Sequence, residues 1–70
     1  MEYTREQLLE ARRQIDSTLH KLRETITTFE VKEEPQRYKP QITLAKRRVE
    51  AFTIANELIG RELAGERHET

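Results

Sequence analysis

The 70-residue sequence contains no cysteine. No disulfide and no thiolate metal site can therefore support its core, and a chain of this length is near the limit at which one core offsets the entropy lost on folding. Hydrophobic residues make up only 34% of the chain, and charged residues make up 37%. A monomeric hairpin of this composition would be marginally stable, and dimerisation is the simplest further source of buried area.

The sequence also lacks net charge and long apolar runs. Thirteen basic residues balance thirteen acidic ones, so no overall field steers the protein toward nucleic acid or an anionic membrane. No segment approaches the roughly 20 apolar residues of a membrane span. The N-terminal segment MEYTREQLLE is charged where a signal peptide is apolar. We therefore expect a cytoplasmic protein without membrane contact.

A first helix is predicted over residues 4–30. Thr4 and Gln7 have the spacing of a capping box, in which each side chain accepts a hydrogen bond from the backbone N–H of the other residue. Beyond this start, apolar residues recur in a narrow heptad stripe, as in a coiled coil. The a and d positions of the stripe are Leu8, Arg12, Ile15, Leu19, Leu22, Ile26 and Phe29.

Two prolines delimit a predicted connection over residues 31–39. Pro35 and Pro40 each disfavour helix in the preceding residue, and each can occupy the first position of a new helical turn. We expect a short turn from Pro35 and a second long helix from Pro40. Tyr38, the only aromatic residue of the connection, is expected to fold over the end of the helix pair.

The second helix is predicted over residues 40–64, with Gly65 as its stop and a frayed tail over residues 65–70. Folding it back on the first helix pairs a positions with d positions in every layer at a single register. This agreement predicts an all-α, antiparallel two-helix hairpin that forms a single domain. The layers are Phe29/Ile42, Ile26/Ala45, Leu22/Val49, Leu19/Phe52, Ile15/Asn56, Arg12/Ile59 and Leu8/Leu63.

A second apolar row on the same helix has no predicted partner within the hairpin. With it, the apolar surface covers roughly half of the helix circumference, against the roughly 100° stripe of an ordinary surface helix. We therefore predict a homodimer in which two hairpins form a four-helix bundle. A heterologous partner helix could cover the same face. The residues assigned to the dimer contact are Leu44, Arg48, Ala51, Ala55 and Leu58, with Ile54 beside them.

Asn56 and Arg12 are polar residues at a positions of the stripe. A buried asparagine can fix register and oligomer state by pairing across the interface, or it can lie at the edge with its amide in water, and both interpretations remain open. The aliphatic stem of Arg12 can lie on Ile59 while its guanidinium reaches a glutamate or water. We expect both to be structural, register-setting residues.

The alternative function is that of a nucleic-acid-associated accessory protein. Residues 46–48 read Lys-Arg-Arg, and Arg37 and Lys39 precede them. Nucleic-acid readers usually present a basic stripe on one face of a positively charged domain, whereas these three side chains point in different directions. A solvated face with ion pairs such as Lys46 with Glu50 is the favoured interpretation.

The sequence offers no recognisable catalytic, cofactor or metal motif. His20 and His68 are far apart and neither has a partner at metal-ligand spacing. No glycine-rich phosphate loop and no nucleophile motif occurs. We expect a non-enzymatic protein that binds neither a cofactor nor a metal.

Segments of this chain resemble two known protein families. The segment LLEARRQID, residues 8–16, resembles the first helix of the all-helical chorismate mutases, which implies that Arg12 would bind a substrate carboxylate across a dimer. The third helix and further basic residues of that family have no counterparts here. LLEARRQIDSTLHKLRET and RYKPQITLAKRRVEAF resemble small helical-hairpin proteins of Gram-positive bacteria. That second resemblance implies a bacterial, cytoplasmic, helical protein with no assigned activity.

Overall fold

The computed structural model describes residues 2–32 and 34–68. Within these ranges the chain forms helix α1, Arg5–Glu30, a 3₁₀ turn, Pro35–Tyr38, and helix α2, Lys39–His68, without any strand. The predicted all-α hairpin is confirmed. Residues 69–70 of the predicted tail lie outside the described part of the chain.

The start of α1 is set by the predicted capping box. The N–H of Thr4 donates to Oε1 of Gln7 at 2.9 Å, and the N–H of Gln7 donates to Oγ1 of Thr4 at 3.1 Å. These two bonds satisfy backbone donors that have no partner within the helix. Glu6 in the first turn also interacts favourably with the positive end of the helix dipole. Both local signals therefore place the start where the sequence predicts it.

The connection closes one end of the hairpin through aromatic stacking. Pro35 opens the 3₁₀ turn, as predicted. The turn brings Tyr38 onto Phe29, with ring centroids 4.9 Å apart and ring planes 21° from parallel. The ammonium of Lys32 lies 5.9 Å from the centre of the Tyr38 ring, within the range of a cation–π contact. The expectation that Tyr38 folds over the end of the helix pair is confirmed.

The predicted end of α2 at Gly65 is wrong, because the helix continues to His68. A glycine stops a helix by adopting the left-handed conformation, and neither Gly60 nor Gly65 has a positive φ. At its other end α2 begins at Lys39, one residue earlier than predicted. Pro40 lies in the first turn, where its missing N–H removes no helical hydrogen bond.

The two helices run antiparallel and bury one shared stripe. Cross-helix contacts join Asp16 to Asn56 and Glu30 to Lys46, so positions advance along α1 as they recede along α2. Thirteen of the fourteen predicted a and d positions are buried or half-buried, and Arg12 alone is exposed. The register inferred from the heptads therefore agrees with the structure.

The hairpin is a rod with a thin core. It measures 55 × 18 × 15 Å and has a radius of gyration of 15.9 Å, against about 11 Å for a compact domain of this length. Among the residues that the structure describes, four apolar side chains form the buried core, and each retains 5–7% of its surface exposed to solvent. Two helices in contact along one line leave most of their surface in water. The buried residues are Leu8, Leu19, Ala45 and Leu63.

Replacing Gly60 by alanine is expected to stabilise the hairpin by about 0.5–1 kcal/mol. Gly60 lies inside α2 without a positive φ, and a Cβ built on it meets no atom within 4 Å. Alanine therefore adds helix propensity without a clash. Urea denaturation of the two proteins measures the change. A loss of stability would show that a neighbouring group requires the space above Gly60.

Candidate dimer interface

One polar contact crosses the hairpin near the middle of α1. Nδ2 of Asn56 donates a hydrogen bond to Oδ1 of Asp16 at 2.6 Å. Asn56 is half-buried, whereas Asp16 is exposed. Oδ1 of Asn56 is buried and has no partner in the described part of the chain. Of the two interpretations left open for Asn56, the structure therefore favours a hydrogen bond across the helix pair. It does not favour an amide that points into water.

This contact disfavours other alignments of α1 with α2. A slip of one heptad would remove Asn56 from Asp16 and leave its amide without a carboxylate acceptor. An unsatisfied buried polar group costs about 1–3 kcal/mol. Sequence reasoning missed Asp16 as the acceptor, although Asp16 directly follows Ile15, the residue predicted to lie opposite Asn56. The role of Asn56 in setting oligomer state stays a prediction.

Arg12, the second predicted register residue, is exposed. No carboxylate of the described residues lies within ion-pair distance of its guanidinium. Ile59, which the heptad register places opposite Arg12, is half-buried. The guanidinium of Arg12 was expected to reach either a glutamate or water. The ion pair with a glutamate is not formed among the described residues of the single chain, which leaves water.

The predicted dimer contact lies on a flank of α2, beside the stripe that packs on α1. Leu44, Ile54 and Leu58 keep 49%, 51% and 56% of their surface exposed. Ala51 and Arg48 are also exposed, and Ala55 is half-buried. Leu44, Ala51 and Leu58 recur every seven residues, so they fall on one line along about 21 Å of helix. We call this surface, residues 44, 48, 51, 54, 55 and 58, the outer row.

The basic cluster is partly neutralised within the hairpin. Nζ of Lys46 lies 3.3 Å from Oε2 of Glu30 on α1, and the pair expected between Lys46 and Glu50 is not seen. The last turn of α1 contains no basic residue, so Lys46 offsets an acidic charge at the negative end of the helix dipole. Arg37 pairs with Glu34 at 3.4 Å. Two of the five basic residues of this cluster therefore contact carboxylates within the hairpin.

The described residues offer no metal cluster and no evident catalytic set. They include no group of three or more His, Cys, Asp or Glu side chains that could hold an ion. Nε2 of His20 lies 3.5 Å from Oε1 of Glu24 on an exposed face of α1. A depression at the connection is lined by Val31, Lys32, Glu34 and Tyr38 and opens to solvent. No helix in the described ranges is long and apolar enough to cross a bilayer.

Comparison with protein-family models, with curated proteins and with solved structures gave no match. The two family resemblances of the sequence therefore stay predictions.

A double-mutant cycle of Asp16→Ala and Asn56→Ala is expected to give a coupling free energy of roughly 1 kcal/mol. The bond has a charged acceptor, but Asp16 is exposed to solvent, which weakens the interaction. Urea denaturation of the wild type, both single variants and the double variant provides the four free energies of unfolding. Strictly additive effects would show that the two side chains do not interact.

Proposed function

We propose that the protein is a non-enzymatic, homodimeric protein-interaction module. In this proposal the outer row of α2 packs against a second copy of the chain, and two hairpins form a four-helix bundle. The observation that carries the proposal is the exposure of Leu44, Ile54 and Leu58 on one face of a single helix. Contiguous exposed apolar surface of this kind is typical of protein interaction sites.

The accessible area of the hairpin supports a second copy as the occupant. The chain exposes 6026 Å², whereas a folded monomer of 8.4 kDa exposes about 4,600 Å². The excess of about 1,400 Å² is larger than the roughly 800 Å² that each partner buries in a standard interface. A standard interface on α2 would therefore remove more than half of this excess.

The small side chains of the outer row suit helix-on-helix packing. Ala51 and Ala55 lie four residues apart on one face, which allows two helix axes to approach to about 8 Å. The aliphatic stem of Arg48 can cover apolar surface while its guanidinium stays in water. Leu44 and Leu58 supply large apolar groups on either side of the alanines.

A nucleic-acid role has less support from the same surface. Lys46 and Arg37 both contact carboxylates within the hairpin, and the chain has no net charge. Phosphate binding would have to displace these carboxylates and would depend steeply on salt.

Replacing Ala51 by glutamate is expected to convert the dimer into a monomer. The change puts a charge and a longer side chain at the closest approach of the two helices, where neither can be accommodated. Ala64→Glu is the matched control, because Ala64 is also exposed on α2 but lies about 140° around the helix from Ala51. Light scattering on a sizing column measures the mass of the wild type and both variants.

The proposal predicts a dimeric wild type, a dimeric Ala64→Glu variant and a monomeric Ala51→Glu variant. Circular dichroism shows whether each variant stays helical. A monomeric wild type, or an Ala51→Glu variant that stays dimeric with unchanged stability, would contradict the assignment of the outer row.

A further inference from the structure

We infer that the two α2 helices of the dimer pack antiparallel, with Ala51 of each copy opposite Ala55 of the other. This inference rests on the proposed dimer and specifies its partner geometry. The spacing of the residues along the outer row allows this arrangement, and the distribution of charge along α2 favours it over a parallel one.

The spacing along the outer row is the same from either end. Beyond Leu58 the line of the row continues to Glu62, which is exposed. Without Ile54, which lies beside this line, the intervals between successive positions alternate as four, three, four, three and four, so a copy running in either direction can match position for position. Antiparallel layers of this kind pair the two seam positions of a heptad. The positions are Leu44, Arg48, Ala51, Ala55, Leu58 and Glu62.

An antiparallel match brings unlike groups together. Ala51 meets Ala55 at the centre, the stem of Arg48 lies on Leu58, and Leu44 lies opposite Glu62 at each end of the row. The guanidinium of Arg48 then lies one helical turn, about 6 Å along the axis, from Glu62 of the second copy. Neither Arg48 nor Glu62 has an ion-pair partner among the described residues. A parallel match would place Arg48 beside Arg48 and Glu62 beside Glu62, which is unfavourable.

The charge along the whole of α2 changes sign about the same centre. Residues 39–50 contain four basic and one acidic residue, a net charge of +3, whereas residues 52–68 contain two basic and three acidic residues, a net charge of −1 with histidine neutral. Antiparallel packing places the positive part of each helix beside the negative part of the other. Parallel packing would place the two segments of net charge +3, residues 39–50 of each copy, beside each other.

Within the hairpin, the Lys46–Glu30 ion pair accounts for only part of this asymmetry. Residues 5–17 and residues 18–30 of α1 each carry no net charge, so α1 presents no opposing gradient to α2. The helix dipole favours acidic residues at the N-terminus and basic residues at the C-terminus. The first turn of α2 contains no acidic residue. A second α2 is the partner that matches this distribution.

Disulfide cross-linking distinguishes the two orientations, because the wild-type chain has no cysteine. The probes are the single-cysteine variants Leu44→Cys and Glu62→Cys. Each variant is oxidised separately, and the two are also reduced, mixed and then oxidised together. In an antiparallel dimer, identical positions are about 27 Å apart along the axis, far beyond the roughly 7 Å between Cα atoms that a disulfide spans. Ser17→Cys on an exposed face of α1 is the control for random collision. Light scattering under reducing conditions gives the oligomeric state of each protein.

The inference predicts dimers under reducing conditions and a covalent dimer from the mixture alone. Covalent dimers from each variant separately would show parallel helices and overturn the inference while the proposed dimer stands. Non-covalent dimers without any cross-link would place the contact elsewhere and also overturn it. A monomeric wild type would reject the proposed dimer itself.

Discussion

The central constraint of this structure is that α2 is apolar on two sides, whereas the chain contains only one other long helix to cover it. α1 covers the stripe that contains Ala45 and Leu63, and both residues are buried. Leu44 and Leu58 on the other side remain about half exposed. Burial of apolar surface is the main stabilising term in folding, and only four side chains of the described residues are buried. A second helix packed on α2 would therefore bury more apolar surface and stabilise the hairpin.

Polar contacts then determine how the hairpin is aligned. The Asn56–Asp16 hydrogen bond fixes the helices near their middle, and the Lys46–Glu30 ion pair and the stack of Tyr38 on Phe29 fix them at the connected end. Apolar heptads alone tolerate a slip of one repeat, because every layer looks similar. The half-buried amide of Asn56 and the stack of Tyr38 on Phe29 fit this alignment and contribute specificity as well as stability. The solvent-exposed Lys46–Glu30 pair contributes less.

The sequence predicted those features that follow from local chemistry or from periodicity. The Thr4–Gln7 capping box, the turn at Pro35 and the heptad register all appear in the structure. The stop at Gly65 was wrong, because glycine permits a left-handed cap without requiring one. Asp16 and Glu30 were missed as cross-helix partners, since periodicity predicts which residues face each other but not which of several nearby carboxylates a long polar side chain reaches.

The proposed function requires that folding and association be coupled, because the second apolar face of α2 is covered only in the dimer. The most direct test is urea denaturation of the wild-type protein over about a hundredfold range of concentration. A coupled dimer is expected to lose about 2.7 kcal/mol of apparent stability across that dilution, since unfolding then also separates the two chains. The urea midpoint should therefore fall as the protein is diluted. A midpoint that does not change with concentration would show that the hairpin is stable alone, and it would contradict the claim that α2 needs a second copy.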